Sequence, residues 1–126
     1  MAKLGRPLKM GMVGGGPGAF IGDVHRRAAL LDGGVELVAG AFSSNVRKSR
    51  TKGRELLIPP ARIYGSLDAL IEAELALPEG ERVDFVSIVT PNHLHYPMAK
   101  VLLQSGFHVV CDKPMTFSVT EARKLK

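Results

Sequence analysis

Short apolar runs alternate along this chain with segments whose apolar residues recur at helical spacing. Residues 8–13 (LKMGMV) are mostly apolar and stop at glycines, the pattern of a buried strand followed by a sharp turn. From Ile21 the apolar positions Val24, Ala28 and Leu31 recur until Asp32-Gly33-Gly34, which predicts a helix of about three turns. Residues 35–42 (VELVAGAF) predict a second strand, and residues 45–57 a basic helix closed by Pro59-Pro60. Arg62-Ile63-Tyr64 reads as a short third strand before a helix from Ser66, with Leu67, Leu70, Ile71 and Leu75 on one face. After a loop at 78–82 (PEGER), residues 85–89 (FVSIV) predict a fourth strand. Residues 96–105 predict a helix with Met98, Val101 and Leu102 inward and Gly106 as its C-cap, and residues 108–111 (HVVC) a fifth strand. Ser118-Val119-Thr120-Glu121 has capping-box spacing and opens a last, short helix.

Strands that alternate with helices and are apolar on both faces imply an α/β fold: a doubly wound, mostly parallel sheet with helices on either side, three layers in all. The 126 residues suit one domain. No run approaches the ~20 apolar residues of a membrane-spanning helix, so no membrane partner is expected. The N-terminal run Met1-Ala2-Lys3-Leu4-Gly5-Arg6-Pro7 has charge but no apolar stretch before a small-residue cleavage site; the expected address is cytoplasmic. One cysteine, Cys111, excludes an intrachain disulfide framework and a Cys-rich zinc module, so no metal site is expected and Cys111 reads as a buried small hydrophobe. The formal charge of +5 suits nucleic acid, phosphate-bearing cofactors or plain solubility alike. Its concentration in Arg47, Lys48, Arg50, Lys52 and Arg54 has only Phe42 and Tyr64 as nearby aromatics, and with no recognition motif a nucleic-acid partner is not expected.

The run from Gly14 to Gly22 (GGGPGAFIG) falls between the first strand and the first helix. Residues without Cβ let the backbone turn tightly and approach a pyrophosphate, whose charge meets free N–H groups at the helix N-terminus. Gly14, Gly16 and Ala19 satisfy a strict G-x-G-x-x-G/A spacing; Gly16, Gly18 and Gly22 offer a looser register, and the sequence leaves both open. An ordinary glycine-rich loop without a ligand accounts for the same residues. An acidic residue normally ends the second strand of such a unit, roughly 20 residues on, to hold the ribose 2′-OH. Here stand Phe42-Ser43-Ser44-Asn45, with Arg47 and Lys48 following. Small hydroxyls and a cation favour a 2′-phosphate, hence NADP over NAD, with Arg47 nearest the strand end; the basic cluster is equally the solvated face of a helix.

Thr90-Pro91-Asn92-His93-Leu94-His95 and Asp112-Lys113-Pro114 follow the fourth and fifth strands, at the edge where open α/β sheets bind ligands. Together with the glycine turn, Thr90-Pro91-Asn92-x-x-His95 and Asp112-Lys113-Pro114 resemble the Gfo/Idh/MocA oxidoreductase family over nearly the whole chain. The resemblance implies a Rossmann domain of an NAD(P)-dependent enzyme acting on a hydroxyl or carbonyl of a sugar, cyclitol or related polyol. It implies that Lys113 contacts substrate and nicotinamide and assists proton transfer. It also implies that Thr90, Pro91, Asn92 and His95 line the cofactor, with Asp112 and Lys113 beside the nicotinamide; the turn residues Gly14, Gly16, Gly18, Ala19, Phe20 and Ile21 and the second-strand end residues Ser43, Ser44, Asn45 and Arg47 complete the expected cofactor site. Asp112 stands where the family has glutamate, one methylene shorter. His93 is left to solvent, and His25 receives no chemistry, since capping or packing explains it. The family's C-terminal α+β substrate domain, which supplies most of the substrate pocket and the oligomer interface, is absent from these residues. The chain therefore reads as a cofactor-domain fragment that binds dinucleotide without turnover, from an enzyme expected to form a homo-oligomer around a small polyhydroxylated substrate. A non-enzymatic dinucleotide-sensing regulator on the same fold is the rival reading.

Overall fold

A computed structural model of the chain describes residues 5–126; the first four residues of the run read for a leader lie outside the described residues. The first apolar run forms β1 (Leu8–Gly14), which pairs in parallel with β2 (Val35–Ala41) on one side and β3 (Phe85–Val89) on the other. β4 (His108–Cys111) adds to β3, giving the parallel order β2-β1-β3-β4. All four strands therefore end at the same edge, as the predicted fold class requires.

Side chains alternate across the sheet. Val86 and Ile88 of β3, both fully buried, meet Leu70 and Ile71 of α3 (Leu67–Ala76) and Ala99 and Leu102 of α4 (His95–Gln104). Met10, Met12 and Val89 face the other way, toward Ile21 and Ala29 of α1 (Phe20–Leu30) and toward Ile58, beyond α2 (Val46–Glu55). Fully burying one such side chain contributes about 1.5–3 kcal/mol. β1 and β2 slip register once: Met10 pairs with Leu37 but Gly11 with Ala39, leaving Val38 as the extra residue of a bulge.

Several sequence expectations are corrected. The third strand is a 3-10 turn (Pro60–Arg62) followed by one bridge, Ile63 to Gly40, because Ser66 already caps α3 by accepting from the Ala69 N–H. α1 does not turn Val24, Ala28 and Leu31 inward; Val24 is 42% and Leu31 87% exposed. Its phase is set by Gly22, where a Cβ would come within 2.6 Å of Gly15 Cα, and that close approach carries His25, Arg26 and Ala29 inward. In α3 Leu75 faces out and Glu74 is fully buried beside Leu70 and Ile71, and in α4 Val101 faces out and His95 in. Cys111 is half-buried. Gly106, at φ 94°, does end α4, and Ser118 does cap α5 (Val119–Leu125). Among the described residues no helix is long and apolar enough to cross a membrane, and no group of three potential metal ligands occurs.

Candidate functional site

The strand ends enclose a cleft of about 520 Å³, within the size range of small-molecule sites. Its floor is the glycine turn. Gly14 has φ 90°, and a Cβ there would lie 2.9 Å from the Thr90 N and the Val89 carbonyl. A Cβ on Gly16 would lie 2.6 Å from the Phe42 carbonyl oxygen. Gly14 thus makes the tight turn, Gly16 lets the turn pass close to the end of β2, and Gly22 lets α1 pack against the turn at Gly15. Gly18 has φ 80° with open space around it. Beneath the turn, buried Arg26 donates to the Gly15 carbonyl at 3.4 Å; burial pulls its guanidinium below the ordinary value, against the nearby Asp23.

Ala19 precedes α1 with no side chain capping it, whereas Asn45, Ser66 and Ser118 cap α2, α3 and α5. The first N–H groups of α1 are therefore free for an anion at the cleft. Of the sequence candidates, Gly14, Gly16, Ala19, Ser43, Ser44, Thr90 and Pro91 line the cleft. Among the described residues Thr90 Oγ1 finds no hydrogen-bond partner in its buried place there, a donor and acceptor that a ligand hydroxyl or amide would complete. These features fit a dinucleotide: a Cβ-free cradle, an open helix N-terminus and an orphaned hydroxyl in one cleft.

The other candidates sit apart from the cleft wall. Phe20 is 77% exposed, and Ile21 packs toward the core. Asn45 is occupied as the cap of α2, accepting from the Lys48 N–H at 3.1 Å. Arg47 and Lys48 are both exposed on α2, but only Lys48 lines the cleft. Asn92 and His93 are exposed in a 3-10 turn (Asn92–Leu94). His95 is corrected from a lining residue to a fully buried one, its ring nitrogens at 2.6 Å from the Pro114 carbonyl oxygen and 3.0 Å from that of Thr90. Lys113 is exposed just beyond β4, before a cis bond to Pro114. Asp112 is drawn toward His25, whose Nε2 lies 3.5 Å from Asp112 Oδ1 and whose Nδ1 lies 2.9 Å from buried Ser87 Oγ. Burial raises the neighbouring Cys111 thiol above its ordinary value, and the Asp112 charge adds to that.

Residues not foreseen as lining include Lys48, Gly65, Ser66, Leu67, Leu94 and Met98. Lys48 was legible as part of the basic run but outranked by Arg47 on proximity along the chain. The wall at 65–67 carried one signal, a glycine before an N-capping serine.

A model of the Gfo/Idh/MocA family, described as an oxidoreductase family with an NAD-binding Rossmann fold, matches residues 8–126. The chain is 35% identical over 124 residues to the oxidoreductase YfiI of Bacillus subtilis, covering 98% of this chain and 31% of that one. It is 30% identical over 118 residues to UDP-N-acetylglucosamine 3-dehydrogenase of Acidithiobacillus ferrooxidans, covering 94% and 32%. Among solved structures, an inositol dehydrogenase homologue from Azotobacter vinelandii in complex with NADH and myo-inositol superposes with a TM-score of 0.90 at 41% identity, covering 95% and 31%. The chain thus spans about a third of the length of these relatives.

Proposed function

The chain belongs to the Gfo/Idh/MocA oxidoreductase family, and from that premise we propose that it is the cofactor-binding domain of an NAD(P)-dependent dehydrogenase acting on a sugar, cyclitol or other polyol. The observation that carries this reading is the cleft in which the Gly14–Gly16 cradle, the uncapped N-terminus of α1 and the unpartnered Thr90 hydroxyl converge. The names of the relatives, a nucleotide-sugar dehydrogenase and an inositol dehydrogenase homologue holding NADH and myo-inositol, support the substrate class.

When bound, the nicotinamide supplies the hydride chemistry. The protein's own residues bind and orient. The Gly14–Gly16 backbone and the first α1 amides take the pyrophosphate. Ser43, Ser44 and Lys48 stand at the end of β2, where no carboxylate repels a 2′-phosphate, which favours NADP. Thr90 Oγ1 donates to or accepts from the ligand. Lys113 Nζ, at the same strand edge, takes or gives the proton of the reacting hydroxyl. Substrate orientation is assigned to the family's second domain, so these residues alone bind dinucleotide without turnover. The whole enzyme is a cytoplasmic homo-oligomer on this reading, with no nucleic-acid or membrane partner.

Parallel calorimetric titrations with NAD and NADP at fixed ionic strength test the reading. Binding of either, tighter for NADP and weakened by added salt, is the expected result. Tighter NAD binding overturns the 2′-phosphate assignment alone; binding of neither overturns the cofactor site.

A further inference from the structure

His95 is fully buried at the first turn of α4, and both of its ring nitrogens lie at hydrogen-bond distance from backbone carbonyl oxygens, Pro114 at Nδ1 and Thr90 at Nε2. A carbonyl oxygen only accepts, and a neutral imidazole carries a single N–H. Two such contacts are both hydrogen bonds only if both nitrogens donate, that is, if the ring is an imidazolium. One acceptor belongs to the turn that leaves β3 and carries Thr90 and Pro91 into the cleft. The other belongs to the turn that leaves β4 and carries Lys113.

We propose that His95 is a positioning residue: as a buried imidazolium it cross-links the Thr90 and Pro114 turns and so sets the place of Lys113 beside the cleft. The geometry stands on its own, while its consequence for cofactor and proton transfer rests on the function proposed above. Lys113 is held from its other side as well, because Asp112 donates its backbone N–H to the Ile88 carbonyl at 3.0 Å and its carboxylate faces His25. The lysine is thus the free side chain between two anchored neighbours.

The charged and titratable groups around the clamp come from several elements. Asp112 and Lys113 lie on the bridged turn itself, His93 lies on the turn leaving β3, and His25 faces Asp112 from α1. Cys111 ends β4; Tyr96 and Lys100 share α4, with the Lys100 ammonium 6.0 Å from the Tyr96 ring centre. From α5, which packs on α4, come Glu121, Arg123 and Lys124, and Glu121 is engaged by the Phe117 N–H. Among the described residues none of these carboxylates pairs with the His95 ring, so the two carbonyl dipoles are what offsets its charge. Loss of the proton leaves one carbonyl facing a nitrogen lone pair and opens one arm of the clamp.

Nitrogen-15 chemical shifts of the four imidazole rings, with His95 assigned by its disappearance in His95→Gln, decide the charge state without any ligand. Two protonated nitrogens on His95 in the folded chain near neutral pH are the expected result, and one unprotonated nitrogen overturns the proposal. His95→Gln keeps its donors on a single nitrogen, beside an amide oxygen that only accepts, so it cannot reproduce contacts made from two separate ring nitrogens. It is expected to speed hydrogen exchange at the Asp112 and Lys113 amides and to weaken dinucleotide binding about tenfold, about 1.4 kcal/mol. Unchanged exchange and affinity in a folded variant overturn the positioning role. If the variant does not fold, the wild-type nitrogen shifts separate the same two outcomes. A chain that binds no dinucleotide defeats the function proposed above, and the nitrogen shifts and exchange rates still decide the clamp.

Discussion

Where the chain runs into β3, Asp84 accepts from the Arg6 guanidinium at 2.7 and 3.0 Å and from the Lys9 N–H at 2.8 Å. One residue earlier the Val83 N–H donates to Glu74, which also accepts from the Tyr64 hydroxyl at 2.6 Å and from Arg62 at 2.6 and 3.2 Å. Where the chain leaves β3, among the described residues Thr90 Oγ1 has no partner, the N-terminus of α1 has no side-chain cap, and Lys113 is exposed. The same strand thus ends in two kinds of polar chemistry. On the approach, carboxylates are saturated from within the chain and hold it together. On the exit, polar groups are left incomplete at some cost in stability, and on the function proposed above a ligand would complete them.

Glu74→Ala is the severest way to break this contrast. Removing a fully buried carboxylate strands Arg62, Tyr64 and the Val83 N–H, and is expected to lower the unfolding free energy by about 3–5 kcal/mol. Urea unfolding measures this, and dinucleotide affinity of the folded fraction is expected to hold. If affinity falls while stability does not, the two ends of β3 are not divided as described.

Thr90→Val sharpens the contrast from the other side. A methyl in place of an unsatisfied buried hydroxyl is expected to raise the stability of the ligand-free chain by about 1 kcal/mol while weakening dinucleotide binding. Denaturation and calorimetry on the same sample separate the two effects; a destabilised variant would show that the hydroxyl has a partner within the fold.

At the β2 end, Lys48→Ala is expected to cost NADP about fivefold, about 1 kcal/mol, and NAD little, whereas Arg47→Ala, outside the cleft lining, costs less. Equal losses for both cofactors would make Lys48 a pyrophosphate or a purely electrostatic contact.

The smallest effect concerns pH. The Arg6 guanidinium, joined by the Lys9 N–H, holds Asp84 below its ordinary value of 3.8. A carboxylate lowered on folding adds stability above the unfolded value and loses it as the pH falls through the folded one. The urea midpoint of the wild-type chain is therefore expected to drop as the pH falls below 3.8, and Asp84→Asn to flatten that part of the curve.

The order of strands and helices, the glycine turn and the two later motifs were legible in the sequence because each depends on local chemistry: apolar runs, Cβ-free residues, capping serines. The motifs also located the cleft, since parallel strands place every βα turn at one edge. What stayed hidden were the residues whose meaning depends on orientation. Val24 and Leu31 repeat at helical spacing, yet the Gly15–Gly22 contact rotates α1 and sends His25 and Arg26 inward. Lys48 outreaches Arg47 because the turn of α2, not distance along the chain, aims a side chain at the cleft. His95 reads as a ligand contact from its motif, and only its burial between two carbonyls makes it a clamp.

Periodicity and turn chemistry are properties of neighbours along the chain, and they determined which elements form and at which edge the chemistry gathers. Helix phase, the partners of buried charges and the orphaned Thr90 hydroxyl arise between residues far apart in sequence. Only packing in three dimensions decided them, because each depends on which atoms are left without water once the sheet is covered.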